Sequence, residues 1–431
     1  MDDGHSITVH LLKEHDLQKE AGDHRRSFGS ASFLNTCFNG LNALSGIGIL
    51  SVPFAVASGG WLSLIYLFII AAATCYTAVL IQRCMDMDAA VRNYPDIGER
   101  AFGAVGRAVV SLSMNVELYM VAAGFLIMEG DNLNNLFPDF RAEVFGAAIG
   151  GKQCWVIVVS LLVLPTVWFN DLRVLSYVSA TGVVASFLLL AAVLWTAVSD
   201  NDSGAAVASP PANRRLVNWG GTPTAVSLYA FCYCAHPVFP TLYTSMKNPT
   251  HFSKVLLVCF AVSTFNYASM AILGYLMFGS DALSQITLNL PTDKISSQVA
   301  IYVTLVNPIA KYALMVTPIV KAIENSFALS DCGKKGLIGG LVIRTGLVIS
   351  TVIVAMAVPF FGYLMSLVGA FLSTAASVIL PCLCFLKISG IHRTAWFEVV
   401  VICGIVVMGF GFMIVGTYTA LMEIVCNFTN L

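Results

Sequence analysis

Along the 431 residues of the chain, polar positions crowd the start and then shrink to short punctuation between long apolar runs. Residues 1–32 are polar, carrying Asp2, Asp3, Lys13, Glu14, Arg25 and Arg26. They read as a flexible cytosolic tail in which Leu11-Leu12 is the only candidate sorting signal, and no signal peptide opens the chain. From Phe33 onward, apolar runs occur at about 33–57, 61–82, 108–130, 153–169, 174–198, 223–245, 255–279, 297–323, 337–357, 360–386 and 397–420. Each is near the ~20 residues that cross a bilayer as a helix. The pattern predicts eleven transmembrane helices, a membrane body over 33–420 and a short non-cytosolic tail over 421–431. The fourth run ends at the polar turn Asn170-Asp171-Leu172-Arg173, and Val358-Pro359-Phe360 divides the ninth and tenth with almost no loop. Asp96 to Phe102, following Pro95, read as a short cytosolic helix.

Composition restricts the class further. Hydrophobic residues make up 57% of the chain and charged residues 11%, against about 25% charged in a soluble domain. Too few charges exist to coat a soluble body, and runs this long are not barrel strands, so an all-α polytopic membrane protein is expected in contact with the lipid bilayer. The net charge of −1 offers nothing to nucleic acid, and no GxxxxGK[ST] motif is present to bind a nucleotide. The 12 cysteines read mostly as small apolar residues, Cys37, Cys75, Cys259, Cys382 and Cys403 among them lying inside runs. Cys232/Cys234 and Cys382/Cys384, spaced by two, point to roughly opposite helix faces, so no metal site and no cofactor are expected. A Cys154–Cys426 disulfide on the outer side is the one pairing to consider.

With the N-terminus in the cytosol, sixteen Lys and Arg fall in cytosolic segments, five (Arg141, Lys152, Arg214, Arg215 and Lys294) on the other side, and two inside spans. This distribution predicts a cytosolic N-terminus and a lumenal or extracellular C-terminus. The two glycosylation sequons, Asn201-Asp202-Ser203 and Asn427-Phe428-Thr429, both fall on the predicted non-cytosolic side.

Two runs carry residues that do not suit a helix. The first reads Asn39 through Pro53 with Ser45-Gly46-Ile47-Gly48 at its centre, where each Gly costs about 1 kcal/mol relative to Ala. The sixth reads Tyr229-Ala230-Phe231-Cys232-Tyr233-Cys234-Ala235-His236-Pro237-Val238-Phe239-Pro240. A seam of small residues for helix packing is one reading. The other is a pair of unwound segments at the midplane. Interruptions at corresponding positions of two five-helix halves mark a transporter substrate site, and their freed amides and carbonyls suit a zwitterion.

At these residues the chain resembles the amino acid/auxin permease family. Asn42 through Pro53 resembles its first-helix signature. Glu117-Leu118-Tyr119 and Glu129-Gly130-Asp131-Asn132-Leu133 resemble its third helix, Tyr229 through Phe239 with Tyr243-Thr244-Ser245-Met246-Lys247 its sixth, and Val368-Gly369-Ala370-Phe371 through Leu380-Pro381 its tenth. The resemblance covers about Phe33 to Thr419. Within the family the chain looks most like plant and fungal vacuolar amino acid transporters related to the vesicular inhibitory amino acid carrier. It implies a LeuT-like inverted repeat of five plus five helices with an eleventh appended, and secondary active transport of amino acids. It also implies a vacuolar membrane, with the plasma membrane as alternative, and a proton gradient rather than sodium as the drive. Ala235 stands where relatives have Gly before the sixth-helix His, which implies a narrower pocket. The substrate-binding candidates are Asn42, Ser45, Gly46, Ile47 and Gly48 on the first helix and Phe231, Tyr233, Cys234 and Ala235 on the sixth, with packing the alternative role for the two aromatics.

Charges inside spans face the bundle or a cavity. Glu117, Lys311 and Arg344 are such charges, and His236 sits at membrane depth. In the implied fold the eighth helix faces the unwound first helix, so the Lys311 ammonium stands where sodium-coupled relatives hold an ion and is the candidate coupling group. The alternative is a fixed ion pair with Glu117. Glu117 and Arg344 are open to gating or structural pairing, and His236 to titration or plain hydrogen bonding. A neutral amino acid carried by alternating access is the leading expectation. A non-transporting amino acid sensor is the second class. A membrane enzyme is the third, and it lacks a clustered nucleophile and base.

Overall fold

The computed structural model describes residues 29–140, 142–144, 147–168, 172–202, 214–326 and 333–429. Leu11-Leu12 and the Asn170-Asp171 part of the polar turn lie outside them, as does Ser203 of the first sequon. The fold is nearly all helical. Among the described residues, nine helices are long and apolar enough to cross a membrane, and the two expected spans absent from those nine are the first and the sixth. Each of these is broken near its middle.

The first span is α1 (Phe33–Leu44), a 3₁₀ turn over Ile47–Leu50, and α2 (Val52–Gly59). Ser32 caps α1 by accepting the Asn35 amide at 3.2 Å, satisfying one of the orphan donors of a helix start. Pro53 opens α2, where its missing N–H has no partner to lose. Then follow α3 (Ser63–Met87) and α4 (Tyr94–Leu136). The Asn93–Asp96 capping box starts α4, and the helix kinks at Phe102 and Gly103, where Gly103 adopts φ +67°. The expected short helix is therefore the first two turns of α4. It packs on the rest of that helix backbone to backbone: a Cβ on Gly98 would stand 2.5 Å from the Gly106 carbonyl oxygen.

A hairpin pairs β1 (Ala142–Val144) with β2 (Ala147–Ile149), antiparallel with Ala142 opposite Ile149. After it come α5 (Gly151–Trp168) and α6 (Leu172–Asp202). The sixth span is α7 (Thr222–Cys232), a 3₁₀ turn over His236–Val238 and α8 (Phe239–Ser245). The remainder is α9 (Phe252–Phe278), α10 (Ile295–Ser326), α11 (Gly333–Ala357), α12 (Phe361–Leu367), α13 (Leu380–Ser389) and α14 (Trp396–Thr429). Between α12 and α13 the tenth helix widens into π turns over Val368–Ser373 and Ala375–Ile379.

Two boundaries differ from expectation. Gly29 and Ala31 donate their amides to the Thr244 and Ser245 carbonyls, and Lys247 donates to Ala31, so the chain is pinned to the end of α8 before residue 32. At the other end α14 runs on to Thr429, so the expected tail from 421 is mostly helix. The disulfide considered between Cys154 and Cys426 is not formed.

Burial runs in the sense a bilayer demands. Leu34, Phe38, Ile65, Phe68 and Phe265 are exposed on the outside of the bundle, while Thr36, Ser51, Thr77, Asn132, Ser366 and Ser373 are enclosed. Without water in the hydrocarbon, polar groups must find partners inside the protein. Several hydroxyls do so within their own helix, Thr74 donating to the Ile70 carbonyl at 2.6 Å and Thr196 to Ala192 at 3.0 Å, whereas Ser51 and Ser366 have no partner among the described residues. Of the nine long apolar helices, α14 is the least enclosed, consistent with a helix appended to the outside.

Candidate functional site

The two breaks face each other at the centre of the bundle. In the first, Ser45 (φ −76°, ψ 68°) and Gly46 (φ −89°, ψ −170°) leave helical geometry. In the second, Tyr233 (φ −108°, ψ 22°) and Ala235 (φ −101°, ψ 4°) do so. Gly48 lies against α7 so closely that a Cβ would meet Cys232 Sγ at 2.7 Å and Cys232 Cα at 3.2 Å. A glycine is what permits that approach. Around Gly46, by contrast, a Cβ would meet nothing within 4 Å.

The hydroxyl of Tyr267, on α9, joins the two breaks. It donates to the Leu44 carbonyl, the last of α1, and lies 3.3 Å from the Cys232 carbonyl, the last of α7. Sequence reading had not singled out Tyr267, because its partners are 223 and 35 residues away in the chain and a tyrosine in an apolar run looks like packing.

Lys311, on α10, is 5% exposed and reaches the first break from the other side. Its Nζ donates to the Ser45 carbonyl at 3.0 Å and lies 3.5 Å from the Asn42 carbonyl. These are carbonyls that the break frees, and an ammonium satisfies them as a small cation does. The Asn42 Oδ1 is buried with no hydrogen-bond partner among the described residues. Gly182 of α6 closes the back of this corner: a Cβ there would fall 1.9 Å from Asn42 Oδ1 and 3.0 Å from Lys311 Nζ. The ion pair with Glu117, the alternative role for Lys311, is not formed. Glu117 instead accepts from the Ser373 hydroxyl at 2.5 Å, on the π-turn stretch of the tenth helix.

The backbone groups expected to hold a zwitterion are partly occupied. Ser45 N donates to Leu41 O and Gly46 N to Leu44 O, which leaves Ile47 and Gly48 at the opening of the 3₁₀ turn, where first amides lack partners. In the sixth span the Ala235 carbonyl accepts from Val238 N, whereas no backbone amide among the described residues takes the Cys234 carbonyl. A void of about 20 Å³ lies beside the first break, lined by Gly46, Ile47, Met128, Leu189, Val303 and Pro308 among others. That volume holds one water, too little for an amino acid in this conformation.

The remaining sequence candidates divide. Phe231 packs beside Gly369 of the tenth helix. Tyr233 is fully buried, its hydroxyl 2.8 Å from Thr264 Oγ1 and its ring stacked on Phe260. Neither lines the void; both wedge the break against α9 and the tenth helix. His236 is fully buried with Nε2 at 2.9 Å from Thr77 Oγ1 and 3.1 Å from the Thr74 carbonyl. Because a carbonyl only accepts, Nε2 carries the hydrogen, and the ring is a clamp between α3 and the sixth span. Arg344 lies apart from the breaks, donating to the Val167 carbonyl at 3.1 Å and pairing with Glu324 at 3.3 Å. It ties α11 to α10 and α5.

A larger cavity of about 300 Å³ opens at the end of the bundle away from the N-terminus, lined by Phe54, Asp131, Lys152, Ser284, Phe360 and Tyr363 among others. Lys152 pairs with Asp131 across it and also donates to the Pro359 carbonyl at 2.6 Å. Gln285 donates to Asp131 at 2.9 Å and accepts from Asn132 at 2.7 Å, so four segments are laced together at this mouth.

Residues 29–422, the whole of this helical body, match the family model described as transmembrane amino acid transporter protein. The chain belongs to that family. It is 54% identical over 418 residues to amino acid transporter AVT1J of Arabidopsis thaliana, covering 97% of each chain, and 53% identical over 405 residues to amino acid transporter AVT1I of the same plant. Among solved structures, it superposes on a Na⁺-coupled sialic acid symporter in a substrate-bound outward-open state. That match has a TM-score of 0.56 at 11% identity and covers 90% of this chain and 88% of the other. A nucleobase-cation-symport-1 family transporter in a closed conformation matches at a TM-score of 0.52 and 14% identity. At such identities the likeness is one of fold, and the fold is LeuT-like, as the paired helix breaks require. The protein is a multi-pass membrane amino acid transporter, and its relatives are named as transporters rather than enzymes.

Proposed function

We propose that the protein is a proton-coupled carrier of neutral amino acids in the vacuolar membrane, working by alternating access around the two helix breaks, with eleven crossings once the two broken spans are counted. The observation that carries this reading is the Lys311 ammonium seated on the Ser45 and Asn42 carbonyls of the first break. A fixed cation at these carbonyls takes up the donor set a sodium ion needs, and a buried lysine is a group that loads and releases a proton. The substrate carboxylate is placed at the amides of Ile47 and Gly48 and its ammonium at the Cys234 carbonyl, with Asn42 Oδ1 as a side-chain partner. The void lining is uncharged, with Met128, Leu189, Val303 and Pro308 beside Ser186, Thr304 and Asn307, and this supports a neutral side chain. The tight packing of the breaks supports a closed intermediate, from which each half-helix tilts to open one face.

The test is purified protein in liposomes, offered labelled amino acids under imposed proton or sodium gradients. A pH gradient is expected to drive accumulation of neutral amino acids, and Lys311→Ala and Lys311→Gln are expected to abolish it. Accumulation by both variants at the wild-type rate would remove Lys311 from coupling, and accumulation driven only by sodium would replace the proton.

A further inference from the structure

Glu129 lies outside the two helix breaks and shares no hydrogen bond with Lys311. This residue of α4 is 1% exposed, and neither carboxyl oxygen has a hydrogen-bond partner among the described residues. Glu117 on the same helix is 3% exposed but accepts from Ser373. An ionised carboxylate buried without a partner is strongly disfavoured, and a bound proton removes that penalty.

Charged and titratable groups on the elements around α4 are engaged elsewhere. Lys152 is bound to Asp131 and to the Pro359 carbonyl, Lys311 to the first break, Arg344 to Glu324 and Arg83 to Glu398. Asp86 accepts from the Tyr243 hydroxyl, Tyr94 donates to the Ala376 carbonyl, Tyr312 bonds Thr351, and His236 is held by Thr74 and Thr77. Lys321 and Lys387 are exposed.

Its depth is the second observation. Met128, one residue before, lines the void at the first break, while Asp131, two residues after, lines the 300 Å³ cavity at the mouth. At 1.5 Å of rise per helical residue, Glu129 stands at a level between the two. A Cβ on Gly130 beside it would meet Val156 Cγ2 at 2.7 Å and the Lys152 carbonyl oxygen at 3.2 Å on α5.

We infer that Glu129 is a proton-binding site of the carrier, loaded from the mouth cavity when that face is open and emptied when the other face opens. This rests on the proton-coupled reading and adds to it a residue other than Lys311. The proton passes from water to the carboxylate oxygen and back to water, with no other bond made or broken.

Two measurements on reconstituted protein test it, using Glu129→Gln, which keeps the shape and neutrality of the protonated acid, and Glu129→Met as a second neutral variant. Infrared spectra of the wild type at neutral pH are expected to show the carbonyl stretch of a buried carboxylic acid that both variants lack; identical spectra would overturn the proposal. In transport, both variants are expected to exchange labelled for unlabelled amino acid at equal pH, while pH-driven accumulation falls at least ten-fold. Variants that still accumulate substrate as the wild type does would sink Glu129 while leaving proton coupling intact. A wild type that shows no pH-driven accumulation sinks the coupled reading and this inference together.

Discussion

At the scale of single residues, function concentrates where the backbone is left without its helical partners. Leu44, Ser45 and Asn42 have carbonyls at the first break, and Tyr267 and Lys311 are the side chains that take them. Lys311 was legible in the sequence because a charge in a 30-residue apolar helix is conspicuous. Tyr267 was not, because only the fold shows what its hydroxyl meets. Glu129 was visible as part of a family-like motif, but its lack of partners is a property of packing that no spacing reveals. Removing the Tyr267 hydroxyl gives a clean test of the link between the breaks. A buried hydrogen bond contributes about 1 kcal/mol, so Tyr267→Phe is expected to lower stability by about that amount. It is also expected to raise the KM for amino acid about five-fold, the factor that free energy corresponds to. Uptake kinetics and thermal unfolding of the variant check this; a KM and midpoint both unchanged would show that the two breaks hold their geometry without Tyr267.

At the scale of elements, the breaks were readable because Gly and Pro announce themselves, and the continuous spans because apolar length does. The π turns of the tenth helix were not readable: Val368 to Ile379 has ordinary helical composition. Their cause lies in what presses on them. A Cβ on Gly369 would sit 1.9 Å from the Ser227 carbonyl of α7, and the Ser377 and Ala376 carbonyls are drawn off by Thr77 and Tyr94 at 2.6 Å each. Widened turns of this kind recur at functional sites, and here they hold Ser373 under Glu117. The attachment of α14 can be divided in the same way. Its Glu398 pairs with Arg83, but the arginine side chain is 42% exposed. Exposed pairs contribute about 0–1 kcal/mol, so Glu398→Gln is expected to leave the unfolding midpoint of the solubilised protein nearly unchanged. Gly416 is different, since a Cβ there would meet Ser227 Oγ at 2.5 Å and Ala370 Cβ at 2.9 Å. Gly416→Val is expected to destabilise by about 1–3 kcal/mol through overpacking. The reverse order of the two effects in thermal unfolding would mean that the ion pair, not the glycine seam, secures this helix.

At the scale of the whole molecule, the arrangement is asymmetric along the membrane normal. One end holds a cavity of about 300 Å³ and the centre only about 20 Å³, so any path from the mouth to the breaks is narrow in this conformation. The mouth is laced by Asp131, Lys152, Gln285 and the Pro359 carbonyl, which belong to four different segments. Opening that face must part some of these contacts, and closing it must restore them. Charge orients the proposal: with sixteen Lys and Arg on the N-terminal side and five on the other, the positive-inside rule predicts that the mouth faces away from the cytosol. Tyr363 reports on this, since it lines the mouth and is only half-buried. With Cys332 and the exposed Cys403 and Cys426 replaced by Ser, Tyr363→Cys in sealed vesicles is expected to react with an impermeant maleimide from the lumenal face only. The adduct fills a good part of the cavity, so it is expected also to block uptake. Reaction only from the cytosolic face would invert the orientation and with it the direction in which Glu129 loads. Reaction without any loss of uptake would show that substrate does not pass this mouth.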